Sequence, residues 1–207
     1  MKRLFLLGCF GLFSLTSFAQ TQFGLYLSTG LQTNRIETSG EYSGFQANKI
    51  HASFSFGPTV NFFLTENTAF NSGIYYTPKR VHLENNTEGP IREMDSRLQY
   101  LQLPLSIRFN TNEIALDTKL YFQLGGLAEV LIHEKEQSEL FPKGYNWMDA
   151  SLLLAAGVER KIGTTNTVFA GISYKRGLTN IVSTKNITDG NLSIKNDLIS
   201  LDIGIFF

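Results

Sequence analysis

Three histidines, His51, His82 and His133, are the side chains of this chain best suited to move protons near neutral pH. His51 and Ser53 stand two apart in a run that alternates apolar and polar residues, so they share one face. A histidine base beside a serine hydroxyl, with Glu84 or Glu134 orienting the ring, is the outline of a hydrolase. Three features weigh against it. Serine recurs along that face, no Gly-x-Ser-x-Gly stretch occurs, and His51 lies on the polar side of its strand. Solvated or hydrogen-bonded rim histidines are the plainer expectation. No spacing joins the three into a metal site, and no glycine loop for phosphate is present, so no metal or cofactor is expected.

A second set of reactive groups is more informative. Lys79, Arg108, Lys119, Glu129, Glu159, Lys175 and Asp202 all fall on the polar side of otherwise alternating strands. Charges enclosed in a narrow interior are costly unless paired. They are therefore expected to form ion pairs that fill the interior. A gate or a proton path is the competing reading.

The elements that position these groups are strands. Residues 199–207 set the pattern: Ile199, Leu201, Ile203, Ile205 and Phe207 alternate with Ser200, Asp202, Gly204 and Phe206, up to the last residue. The same period of two predicts strands over 23–36, 50–63, 69–82, 97–109, 118–132, 149–160, 167–178 and 194–207. Pro58 lies on the second, where a bulge or a missing ladder bond is expected. The intervening connections alternate long and short. In an antiparallel up-and-down order, all the long loops then fall at one end and all the tight turns at the other. An all-β, eight-stranded transmembrane barrel has this layout, with long loops outside the cell and turns in the periplasm.

Alternation alone does not say which face is inside. A soluble lipocalin-like barrel would bury the apolar face and show water a polar face rich in Lys, Glu and Asp. Here the polar face is mostly Gly, Ser, Thr, Asn, Gln and Tyr, residues that fill a cramped lumen. The apolar face is therefore expected to meet lipid, with Phe23, Phe63, Phe109, Trp147 and Phe207 at the interfaces. Arg108 and Glu159 should lie near the periplasmic end, Asp202 above them, and Lys79, Glu129 and Lys175 toward the outer end.

Composition agrees. Lys plus Arg and Asp plus Glu number 18 each, so the balance gives no sign of nucleic acid as a partner. Residues 1–19 read as a cleaved signal: Lys2 and Arg3, a short apolar core, and the small-x-small site Ser17-Phe18-Ala19. The mature domain is then 20–207. The only cysteine, Cys9, lies inside the signal; the apolar run before it is too short for a lipoprotein leader, and the mature chain has no disulfide to lean on.

The stretch Tyr100-Leu101-Gln102-Leu103-Pro104-Leu105-Ser106-Ile107-Arg108-Phe109 resembles a strand of the PorT-like small outer-membrane barrels of the Bacteroidota, as do Ala155-Ala156-Gly157-Val158-Glu159 and the closing aromatic. The resemblance implies an eight-stranded barrel in the bacterial outer membrane. It also implies that Phe207 is an assembly signal read by the barrel-assembly machinery. Some members of that family take part in secretion linked to gliding and adhesion. Barrels of this size also host lipid-modifying hydrolases, the activity His51 and Ser53 would serve. The expected protein is non-enzymatic, in contact with outer-membrane lipid, and open to a protein partner at its loops.

Overall fold

The computed structural model describes residues 21–40, 45–46, 49–85, 92–136, 144–183 and 190–207. The signal expected over 1–19, with Cys9, lies outside them. Among the described residues the strands are β1 (Thr21–Gly40), β2 (Phe45–Gln46), β3 (His51–Thr65), β4 (Thr68–Gly73), β5 (Tyr75–Asn85), β6 (Arg92–Asn110), β7 (Thr118–Glu136), β8 (Met148–Ile162), β9 (Asn166–Gly177) and β10 (Gly190–Phe206).

All pair antiparallel in one sheet, and β1 bonds both β10 and β3, so the sheet closes on itself. Closure removes the exposed edges that an open sheet would present. β4 and β5 are two halves of one crossing, and β2 is a short piece beside the far end of β5. The ring is thus eight crossings, in up-and-down order. The connections at 66–67, 111–117 and 163–165 all fall at one end, called here the turn end. Asp117 takes a positive φ of 56° and Gly163 one of 72°, backbone angles that Asp and Gly tolerate in tight turns.

The crossing expected over 69–82 is interrupted at Ile74. β4 pairs with β3 up to Thr59–Gly73, while beyond Ile74 the ladder between β3 and β5 reduces to Phe56–Tyr76. Pro58 keeps its register with β1 and accepts a bond from Ile74 N at 3.0 Å. Pro78 has no N–H to offer β3. Side chains hold the seam instead: Ser53 Oγ donates to Pro78 O at 3.1 Å, and Gln32 Nε2 donates to Arg80 O at 2.7 Å.

The apolar face points outward. Leu103, Phe122 and Ile203 are 42, 52 and 53% exposed, and the side chains beside them in sequence turn inward. The soluble barrel with an apolar interior is overturned by this orientation. On β6 the oily band spans Leu101, Leu103, Leu105, Ile107 and Phe109, the length a tilted crossing of about 9–11 residues needs.

Past that band, at the loop end, the strands run further than their lipid-facing pattern suggests, and their chemistry inverts. Val81, Leu83, Leu98, Tyr100, Leu192 and Ile194 keep inward parity but form an apolar core, closed over by Tyr145, Ile181 and Val182. The outward positions become charged, with Arg80 and Arg97 among them. Residues 83–85, 92–96, 133–136 and 190–193, expected in loops, therefore belong to strands. Above the membrane the outer surface meets water, so the barrel carries its apolar residues inside, as a soluble sheet does.

Candidate functional site: the filled lumen

Three layers of side chains fill the barrel at membrane depth. In the layer nearest the turn end, Arg108 on β6 is 2% exposed and reaches past β7 to Glu159 on β8, with Nη2 to Oε2 at 2.8 Å. Its guanidinium lies 3.6 Å from the Tyr121 ring centroid, and 5.1 and 5.5 Å from those of Phe169 and Phe206. Cation–π attraction to such faces adds to the ion pair where water is excluded. Bare backbone makes room for this aromatic set: a Cβ on Gly171 would come within 2.3 Å of Tyr121 Oη, and one on Gly204 within 2.4 Å of the Phe169 ring.

The middle layer is held by hydrogen bonds. Asp202 Oδ1 accepts from Ser28 Oγ at 2.7 Å and from Ser200 Oγ at 3.1 Å. Lys175 Nζ is 3.4 Å from Tyr26 Oη, and the Tyr26 and Tyr75 rings stack at 4.2 Å. Sequence reasoning expected every enclosed charge to be ion-paired. Lys175 and Asp202 instead lie within a hydroxyl network, and neither makes an ion pair among the described residues. Two hydroxyl donors on one oxygen fill about half of the carboxylate's acceptor positions without a cation in contact.

In the layer toward the loop end, Lys79 on β5 contacts Glu129 on β7 at 2.5 Å and Asp149 on β8 at 3.3 Å. Gln102 Nε2 and Ser151 Oγ donate to the two oxygens of Glu129 at 3.1 and 2.7 Å. Thr179 Oγ1 donates to Asp149. Asp149 was not singled out from the sequence. It opens its strand, where a charge is easily taken for a loop residue, but its parity with Ser151 places it inside.

The voids left between these layers are about 20 and 10 Å³, room for roughly one water each. Lys119 lies outside the filled region; it lines an open cup of about 780 Å³ at the turn end, together with Glu66, Glu113 and Asp117.

The rim histidines are not arranged as a base and nucleophile. Glu84 contacts His82 at 3.0 Å and Lys49 at 2.6 Å, not His51. Ser53 gives its hydrogen to Pro78 O, and the His51 and His82 rings stand 6.0 Å apart. His133 is exposed on β7. No group of three metal-ligating side chains occurs among the described residues. Phe207 is 56% exposed beside Phe23, whose carbonyl accepts its N–H at 2.8 Å.

A closed antiparallel ring with an oily exterior and a polar, filled interior defines a small outer-membrane β-barrel protein. The chain belongs to the family described as outer membrane protein beta-barrel domain, which matches residues 18–183. Its place is the bacterial outer membrane, so the turn end faces the periplasm and the loop end faces outward. Among solved structures the chain is similar to the outer membrane protein OprG from Pseudomonas aeruginosa, at 9% identity over 93% of this chain and 98% of that one, with a TM-score of 0.58. At that identity the likeness is one of fold alone. Neisserial surface protein A matches at 11% identity over 91% and 99% of the two chains with a TM-score of 0.49. The Escherichia coli outer membrane protease OmpT matches at 11% over 91% and 95%, with a TM-score of 0.42. Scores this low carry no argument about activity. No curated protein matches the chain.

Proposed function

We propose that this barrel is a non-enzymatic, plugged membrane protein of the PorT-like group that works through its extracellular end, in binding, in a secretion-associated role, or as a structural element. The observation that carries the reading is the filled lumen, whose voids have room for about one water each. A barrel whose centre is filled with side chains at three depths is best placed to act at its ends or its walls. The outer end offers a packed platform, the core of Val81, Leu83, Leu98, Leu192 and Ile194. Such rigid scaffolds with variable connections are how small barrels present binding surfaces.

The partners are outer-membrane lipid around the wall, the barrel-assembly machinery at Phe207, and a protein at the outer connections. The engagement of Glu84 by His82 and Lys49 supports the non-enzymatic reading, since it takes from His51 one of the two carboxylates, Glu84 and Glu134, that a hydrolase would use. Mass spectrometry of lipid A from cells overproducing the parent, His51→Ala or Ser53→Ala chains tests it. Identical lipid A in all three is expected. A modification present only with the parent would contradict the proposal.

A further inference from the structure

Above the lipid-facing band, three basic side chains stand in one row across three neighbouring strands. Arg80 on β5 is directly opposite Arg97 on β6, and Arg97 is directly opposite Lys135 on β7. All three are exposed and on the outer face. Side chains directly opposite on adjacent strands sit about 5 Å apart, and like charges in that relation repel. None of the three makes an ion pair among the described residues. The acids on the same face lie further out. Asp95, the next outward residue beyond Arg97 and opposite His82, makes no ion pair with the row among the described residues, and Glu84 is taken up by Lys49 and His82.

The far side of the barrel offers a comparison. There Arg35 is directly opposite Lys195, but Arg35 is ion-paired with the Asp197 carboxylate, Nε lying 2.7 Å from Oδ2 and Nη2 donating to Oδ1 at 3.1 Å. One like-charge pair is thus relieved by the protein's own acid, and the other row is left open by the described residues. The open row is also held in place. Gln32 Nε2 and Asn34 Nδ2 donate to Arg80 O at 2.7 and 3.2 Å, and Gln32 Oε1 accepts from Arg80 N at 3.2 Å. Its height is that of lipid headgroups. Arg97 lies four residues beyond Leu101, the last oily residue on the outer face of β6, or about 13 Å along a tilted strand.

We infer that Arg80, Arg97 and Lys135 form a binding site for the phosphate of an anionic lipid in the outer leaflet. Two guanidinium forks and an ammonium in a row match a phosphate monoester, whose oxygens accept several charge-assisted bonds at once. The lipid supplies the negative charge that the row lacks, and its acyl chains lie along Leu101 and Val130, which are opposed in the band beneath. The inference depends on the outer-membrane placement and not on what the extracellular connections bind.

The test uses the folded, full mature barrel in neutral detergent, with bound lipid A counted by native mass spectrometry. The parent is expected to hold phosphorylated lipid A about a hundredfold more tightly than R80Q/R97Q/K135Q, some fivefold per basic side chain. The control Lys195→Gln should bind like the parent. Dephosphorylated lipid A should bind no better to the parent than to the triple variant, and millimolar inorganic phosphate should not displace the lipid. Equal binding by parent and triple variant, or an equal response to inorganic phosphate alone, would overturn the inference. Arg97→Gln gives a reading should the triple variant not fold. Without lipid A its thermal midpoint should equal or exceed the parent's, because a repulsion is removed, and lipid A should raise it less. A lower midpoint without lipid would mean that the protein itself satisfies the row, and would also overturn the proposal.

Discussion

Lys79 and Glu129 meet at 2.5 Å although β6 runs between the strands that carry them. Arg108 and Glu159 do the same across β7. Both ion pairs therefore bridge second-neighbour strands through the lumen instead of adjacent strands along the wall. They stitch together staves that share no ladder, and they occupy the space through which a solute would pass.

Removing one partner of such a pair exposes the cost of the other. Lys79→Met leaves Glu129 and Asp149 enclosed without their cation, and about 3–5 kcal/mol of stability should be lost. The combined variant K79M/E129Q/D149N should recover most of it, since no charge then remains in the layer. Denaturant unfolding of the reconstituted barrel in lipid vesicles checks both. A single variant as stable as the parent would mean that the layer is wetter than the packing describes.

The aromatic layer depends on a missing side chain. A Cβ on Gly171 would meet Tyr121 Oη at 2.3 Å and Ala156 O at 2.5 Å. Gly171→Ala should cost about 1–3 kcal/mol by overpacking. Pairing it with Tyr121→Phe should restore part of that loss, because the phenol oxygen is the closest atom. Unfolding midpoints of the two single variants and the double variant form the cycle that measures this coupling.

Acid should loosen the outer end through Glu84, which lies beyond the lipid-facing band. The hydrogen bond from Lys49, then that from His82, holds its carboxyl below the ordinary value of 4.5. A carboxyl depressed in the folded state stabilises the fold above its unfolded value, and that contribution disappears as pH falls through the folded value. Amide exchange in residues 81–85 should accelerate as pH drops below about 4.5, beyond the intrinsic pH dependence of exchange. Glu84→Gln should remove the excess. An excess that persists in Glu84→Gln would assign it to another group.

Phe207 separates assembly from stability. It is 56% exposed on the outer face, so Phe207→Ala leaves the filled lumen intact and should lower the unfolding free energy of the refolded protein only by the lost ring contact with lipid, about 1–2 kcal/mol. In cells the same variant should lower the heat-modifiable, folded fraction in the outer membrane several-fold, if the assembly machinery reads this residue. Equal folded fractions for parent and variant would remove the role from Phe207.

The membrane-depth half of the molecule was legible in the sequence because one rule held throughout it. Leu103, Phe122 and Ile203 pointed out, Arg108 and Glu129 pointed in, and a period of two was enough to sort them. The outer half was not legible by that rule. Between Lys79 and Val81 the inward parity continues while its chemistry changes from charged to apolar. A reading that follows oily residues outward sees the strand end there and assigns the remainder to loops. Partner choice was also hidden. Parity placed Lys175 and Asp202 in the lumen, but whether each would meet an ion or a hydroxyl depends on register between strands distant in sequence. Pro78 was overlooked for the same reason, since its missing N–H matters only once β3 is known to lie beside it.

Electrical recording in a planar lipid bilayer tests the filled lumen most directly. The purified barrel, inserted in its folded state, should show no steady conductance above the baseline of the bare membrane. The variant R108A/E159A/F206A, which empties one layer but leaves the Lys79 layer intact, should remain silent as well. Stable, reproducible open steps from the parent chain would contradict the account, because ions would then cross where the side chains are packed.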